Sequence, residues 1–126
     1  MAVLADIICR GEKRSGSIDV VMVGDTRMRN LNRSFRNEDR TTDVLSFSLE
    51  DEGDEPYPYL GEIYISIPKA KKQARRASHG LDREILFLTS HGILHLLGYT
   101  HETMGKFNAM IKKQNRYLTK LYRKPC

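Results

Sequence analysis

Between Asp82 and His101 the chain reads DREILFLTSHGILHLLGYTH, and three of its four histidines fall within eleven of those residues. His91 and His95 are four apart, so on an α-helix they stand one turn apart on a single face, about 6 Å along the axis, where both can grip one ion. Gly98, three residues after His95, suits the left-handed conformation that ends a helix and turns the chain back. His101 then returns as a candidate third ligand. Three neutral imidazoles on a divalent ion leave at least one coordination position open, which is the pattern of a catalytic site rather than a closed structural one. An ion so held lowers the pKa of bound water to about 7 and makes hydroxide available near neutral pH. Histidines scattered singly would read as ordinary core or surface residues. An i, i+4 pair, a helix-stopping glycine and a third histidine together favour a metal.

The spacing is also that of the extended zinc-peptidase motif H-E-x-x-H-x-x-G-x-x-H, in which the glutamate after the first histidine is the general base. Here that position is Gly92, so the usual base of proteolysis is missing. A metallopeptidase or other metallohydrolase would have to take its base from outside the motif, with Glu62 and Glu84 as candidates. Asp82 is placed to cap the central helix. Its apolar residues, among them Ile85, Leu88, Ile93, Leu94 and Leu97, lie nearly all round, which predicts burial against several partners. Gly92 between the histidines would permit close approach of backbone or substrate, at a cost of about 1 kcal/mol relative to Ala inside a helix.

The rest of the chain supplies elements to pack against that helix. Residues 2–9, AVLADIIC, predict a short helix capped near Gly11, and 18–23, IDVVMV, a strand substantially buried on both faces. Asp25 or Thr26 can cap a helix to about Phe35, with Met28, Leu31 and Phe35 at helical intervals. A charged, turn-like segment from Arg36 to Asp43 precedes an alternating strand, 44–49. Residues 51–59, DEGDEPYPY, read as an exposed hairpin connection, and 60–67 as a strand with one apolar face. Pro68 suits the first turn of a helix carrying Lys69, Lys71, Lys72, Arg75 and Arg76, the densest basic patch in the chain. Both a phosphate track and a solvated helix face fit that patch. His79 falls in the following turn as a surface residue, and 102–123 predict a closing amphipathic helix with a basic outer face.

At 126 residues and 40% hydrophobic content, the chain is one domain, residues 1–126, with one modest core. We expect an α/β (α+β) fold: a small mixed sheet with the buried metal-bearing helix and its neighbours packed on it. The net charge of +5 points weakly to an anionic partner such as RNA. Cys9 and Cys126, the only cysteines, imply a reduced cytoplasmic setting without a disulfide framework, and no apolar run reaches the ~20 residues needed to span a bilayer.

The segment HGILHLLGYTH resembles the H-G-x-L-H-L-x-G-Y-D-H signature of the bacterial YbeY family, and LNRSFRNEDRTTDVLSFSLE and LGEIYIS fit that family as well. The resemblance spans about Val20 to Tyr122. It implies a metal-dependent single-strand endoribonuclease acting in ribosomal RNA maturation and ribosome quality control, with ribosomal RNA and the ribosome or its proteins as partners. By the same resemblance, to the motif LNxxYRxxDxxTDVLSF, Arg36 is the candidate for stabilising phosphate charge during attack by the metal-held hydroxide. Glu62 stands where the family has Asp in its L-G-D-I segment, which makes it a second-tier candidate as partner of a metal-bound histidine or as proton acceptor. In the patch, Lys69, Lys72, Arg75 and Arg76 are the candidate RNA contacts. The start of the chain is short for the family, which usually begins with one more strand, and Thr100 replaces the Asp of its GYDH. Zinc suits three imidazoles with an open position, and nickel also accepts them. A non-enzyme alternative is a ribosome assembly factor whose metal only stabilises the fold.

Overall fold

Eight elements form among the residues that the computed structural model describes, which are 2–38, 40–48, 58–100 and 102–123. They are α1 (Ala2–Gly11), β1 (Ser17–Val23), α2 (Asp25–Arg36), β2 (Val44–Ser48), β3 (Tyr59–Ser66), α3 (Ile67–Ala77), α4 (Leu81–Leu96) and α5 (Met104–Arg123). His101, Leu49, Cys126 and residues 51–57 of the expected hairpin connection lie outside the described residues.

The sheet is mixed, in the order β1-β3-β2, with β1 parallel and β2 antiparallel to β3. Side chains of a strand alternate between faces, and the alternation here sorts the core into two parts. Ile63 and Ile65 of β3 join Ile18, Val20, Met22 and Val44 in the main cluster with Leu4 and Ile8 of α1, Ile93 and Leu94 of α4, and Met110, Tyr117 and Leu118 of α5. The opposite face forms a smaller cluster with α2, in which Met28 and Leu31 meet Val21, Val23, Leu45, Phe47 and Tyr64. The result is an α+β domain in which α4 touches α1, α3, α5, β2 and β3, the buried central helix expected from its all-round apolar pattern.

Several local expectations need correction. The N-cap of α4 is Gly80 and that of α2 is Gly24, neither with a side-chain cap, so Asp82 and Asp25 sit in the first turns, where a carboxylate still complements the helix dipole. Arg36 ends α2 rather than lying in the loop. Phe35 does not complete a buried stripe: it is 67% exposed and leans edge-on against Phe47, with ring centroids 5.0 Å apart. Strand β3 is buried on both faces rather than one, since Leu60 and Ser66 are as deeply enclosed as Ile63. It ends at Ser66, whose hydroxyl caps α3 by accepting from the Lys69 amide at 3.3 Å. His79 is half-buried, 3.4 Å from the carboxylate of Glu84, itself only 5% exposed. The periodicity of α5 holds, yet Met104 at its start is 74% exposed, because no described element covers the first turn.

Candidate active site

The helix α4 carries His91 and His95 one turn apart, and their Nε2 atoms approach to 3.1 Å with the rings inclined at 74°. What brings this part of α4 onto the sheet is Gly92. A Cβ there would lie 2.8 Å from Ile63 Cγ2 and 3.0 Å from Ser46 Oγ, so only glycine allows the helix this near. Ser46 Oγ donates to the Gly92 carbonyl at 3.3 Å, fastening edge strand β2 to the peptide between the two histidines. After Leu96 the helix stops on Gly98, whose φ of +104° favours glycine. Its amide reaches the His95 carbonyl and the Tyr99 amide the Leu94 carbonyl, each at 3.0 Å, which is a Schellman end.

A polar cleft of about 600 Å³ contains the histidine pair. Its lining comprises His91, His95 and Leu96 of α4, Arg36 at the end of α2, Glu38, Arg40, Thr41, Thr42 and Asp43 of the segment that follows, and Ser46 and Ser48 of β2. The structure thus brings Arg36 into one cleft with His91 and His95, which stand 55 and 59 positions later in the chain. The segment is shaped by Asn37, which adopts a left-handed conformation (φ 57°) that Asn tolerates better than most residues. The amides of Asn37 and Glu38 both return to the Asn32 carbonyl. Buried Asn32 also donates from Nδ2 to the Arg40 carbonyl at 2.9 Å, which pins the loop. Leaving such a buried donor unpaired would cost about 1–3 kcal/mol. Arg40 pairs with Glu38 at 3.0 Å on the rim. Asp43 accepts from the Val44 amide at 2.8 Å and from Gln73 Nε2 of α3 at 3.0 Å.

The remaining candidates are not gathered there. Glu62 is next to Ile63, which faces Gly92, so its side chain leaves the other face of the sheet. Tyr64 Oη donates to it at 2.7 Å, a bond that holds the Tyr64 phenol above its usual pKa. Glu84 is turned to His79, so neither carboxylate named for the peptidase alternative lines the cleft. Lys72, Arg75 and Arg76 are exposed on α3 and Lys69 is half-buried; none lines the cleft, although Gln73 between them reaches its wall through Asp43. Asn32, Asp43 and Ser46 were not singled out from the sequence. All three stand within the LNRSFRNEDRTTDVLSF segment, where an asparagine one helical turn after Met28, in line with the apolar stripe of a charged helix, was the available signal.

Away from the cleft, Glu12 just past α1 accepts from Tyr99 Oη at 2.5 Å, Lys113 Nζ at 2.8 Å and the Tyr117 hydroxyl. Burial pushes its carboxyl up, but the bonds from Lys113, Tyr117 and Tyr99 outweigh this and hold it below its ordinary pKa. The hydrogen bond to Glu12 raises Lys113, while burial and then the same carboxylate push Tyr117 up to about 12.

The donor chemistry at the histidines suits a transition metal. Two imidazole nitrogens held at about 2.0–2.1 Å by one tetrahedral ion lie roughly 3.3–3.4 Å apart, close to the separation found here. Fold and site together define an α+β domain whose polar cleft is built from a histidine-bearing helix, a serine-bearing edge strand and an arginine at a helix end. The model of the family described as endoribonuclease YbeY matches residues 3–122. The chain belongs to the YbeY family. An endoribonuclease YbeY of Geobacillus thermodenitrificans is 47% identical over 111 residues, covering 82% of this chain and 71% of the relative. Another, from Acholeplasma laidlawii, is 42% identical over 118 residues and covers 94% and 84%. A solution structure of a Thermotoga maritima protein is similar with a TM-score of 0.62 at 34% identity, covering 92% of this chain and 77% of that one. Among the described residues, no helix is long and apolar enough to cross a membrane.

Proposed function

We propose that this chain is a metal-dependent, single-strand-specific endoribonuclease that acts on ribosomal RNA in the cytoplasm, in maturation and quality control of the ribosome. The observation that carries the proposal is the convergence of Arg36 on the cleft that holds the Nε2 pair of His91 and His95. His91 and His95, with His101 as third ligand, would hold one divalent ion, zinc in the first instance and nickel as the alternative. When bound, that ion supplies a water of lowered pKa as nucleophile.

The protein's own residues do the rest. Arg36 meets the scissile phosphate: as a phosphodiester is attacked, charge grows on its non-bridging oxygens, and the planar guanidinium donates to two of them at once. Arg40 adds a second positive charge to the lining of the same cleft, held in place by Glu38 until a phosphate competes for it. Ser46 and Gly92 keep α4 seated so that both imidazoles present Nε2 to one point. The exposed arginines and lysines of α3 offer phosphate contacts beyond the cleft, which add affinity without base specificity.

The test is a side-by-side assay of metal-loaded protein on a single-stranded RNA, the matching duplex and casein. We expect internal cleavage of the single strand alone, abolished by a chelator and restored by zinc. Intact RNA with metal-loaded protein would overturn the reading, and cleaved casein would move it to a peptidase.

A further inference from the structure

We infer that Phe35 is the platform on which an unpaired base of the RNA stacks while Arg36 meets a neighbouring phosphate. The inference deepens the proposed function and rests on it, naming a contact by which the site selects single strands. In a duplex both faces of a base are covered by its neighbours in the stack, whereas a single strand can turn a base out onto an aromatic ring.

The place of Phe35 follows from its neighbours. In the chain it directly precedes Arg36, which lines the cleft. In space its ring leans on Phe47, and Phe47 stands in β2 between Ser46 and Ser48, which both line the cleft as well. Successive side chains of a strand point to opposite faces. Ser46 is accordingly bonded to Gly92 on the α4 side, while Phe47 packs in the cluster with α2. Phe35 therefore stands at the margin of the cleft, on the α2 side of the edge strand. The ring is open and yet braced. Most of its surface is in solvent. It is inclined 61° to Phe47 with centroids 5.0 Å apart, an edge contact, so whichever ring supplies the edge, Phe47 leaves at least one face of Phe35 uncovered. Phe47 in turn stands edge-on to Tyr64 at 5.7 Å, and the Tyr64 hydroxyl is fastened to Glu62 at 2.7 Å. A ring supported in this way loses little freedom when a base settles on it. Arg36 and Arg40 in the cleft lining supply the positive charge for the backbone of the same strand, so base and phosphate are held by different residues.

The experiment measures single-turnover cleavage of a single-stranded RNA by metal-loaded protein over a range of enzyme concentrations, for the wild type, Phe35→Ala, Phe35→Leu and Phe35→Tyr. It is repeated with an abasic ribose–phosphate strand of equal length as competitor. Phe35→Leu keeps an apolar side chain against Phe47 but offers no aromatic face. Loss of one base stack should raise the half-saturating concentration about tenfold in Phe35→Ala and Phe35→Leu and leave Phe35→Tyr within twofold of the wild type. The salt dependence of that concentration should keep its slope in all three variants, since no phosphate contact is lost. The abasic strand, which offers phosphates without bases, should inhibit all four proteins alike. Half-saturation of Phe35→Ala or Phe35→Leu within twofold of the wild type, or an equal loss of affinity for the abasic strand, would overturn the stacking role and leave the endoribonuclease reading standing. A wild type that leaves the RNA intact would refute that reading and the inference with it.

Discussion

Replacing Gly92 by Ala separates two opposed effects of known size. A glycine inside an exposed helix costs about 1 kcal/mol relative to alanine, so propensity alone favours the substitution by that amount. Against it stands the fit of α4 on the sheet. The added methyl would meet Ile63 Cγ2 at 2.8 Å, Ile63 Cδ1 at 3.0 Å and Ser46 Oγ at 3.0 Å, whereas carbon atoms rest about 3.5–4.0 Å apart. Helix and sheet must therefore part by something under about 1 Å. Ile63 has little freedom to yield: it is fully buried, β-branched and in the middle strand, paired on both sides. Overpacking of this kind costs about 1–3 kcal/mol, which exceeds the propensity gain. A net loss of about 1 kcal/mol follows, worth roughly 4 °C in Tm for a domain of this size. The displaced backbone lies between His91 and His95, so zinc binding should weaken along with stability. Urea denaturation with an unchanged m-value measures the first effect and chelator competition the second. A Gly92→Ala protein more stable than the wild type by about 1 kcal/mol would refute the packing argument and make Gly92 an ordinary helical glycine.

Arg36→Lys keeps the charge but loses the two-pronged planar donor, and single-turnover RNA cleavage should fall about 100-fold, on the order of 3 kcal/mol, with metal and fold retained; a rate within about threefold of wild type would reduce Arg36 to a binding charge. Lys72→Ala/Arg76→Ala should flatten the salt dependence of single-stranded RNA binding by up to about 1.4 in the log–log slope, about 0.7 for each phosphate no longer neutralised; an unchanged slope would return α3 to solvated surface. Burial and Glu12 raise Tyr117 from 10.0 to about 12, so the fold favours the protonated phenol. Its contribution is fully present below about pH 10 and is lost as the pH rises from 10 to 12, so Tyr117→Phe should show a shallower alkaline loss of stability by denaturant titration than the wild type.

The parts of this molecule legible in the sequence were those set by local rules. The helical spacing of His91 and His95, the stop at Gly98, the β-branched strands and Pro68 at the head of α3 all depend on neighbours a few residues away. Gly92 was legible as a site of close approach but not as contact with Ile63 and Ser46, because which strand lies beneath α4 follows from sheet order, and β3 enters between two strands that precede it. Periodicity showed the apolar stripes of α2 and α5 without showing that Phe35 and Met104 escape cover. That Glu62 lies off the cleft, bonded by Tyr64, was not legible for a related reason: a motif match gives its place in the strand but leaves open which face of the sheet α4 covers. The Glu12 network was invisible because its bonds span 87 to 105 positions and a glutamate in a polar turn carries no local mark. His101 lies outside the described residues, so its part in the site still rests on spacing and family resemblance.

Metal content measured by elemental analysis on purified wild-type protein and on the His91→Ala/His95→Ala double variant tests the central claim most directly. The expected result is about one transition-metal ion per wild-type chain and loss of that ion from a double variant that remains folded by circular dichroism. An ion retained at wild-type stoichiometry in the folded double variant would contradict a metal centre on α4.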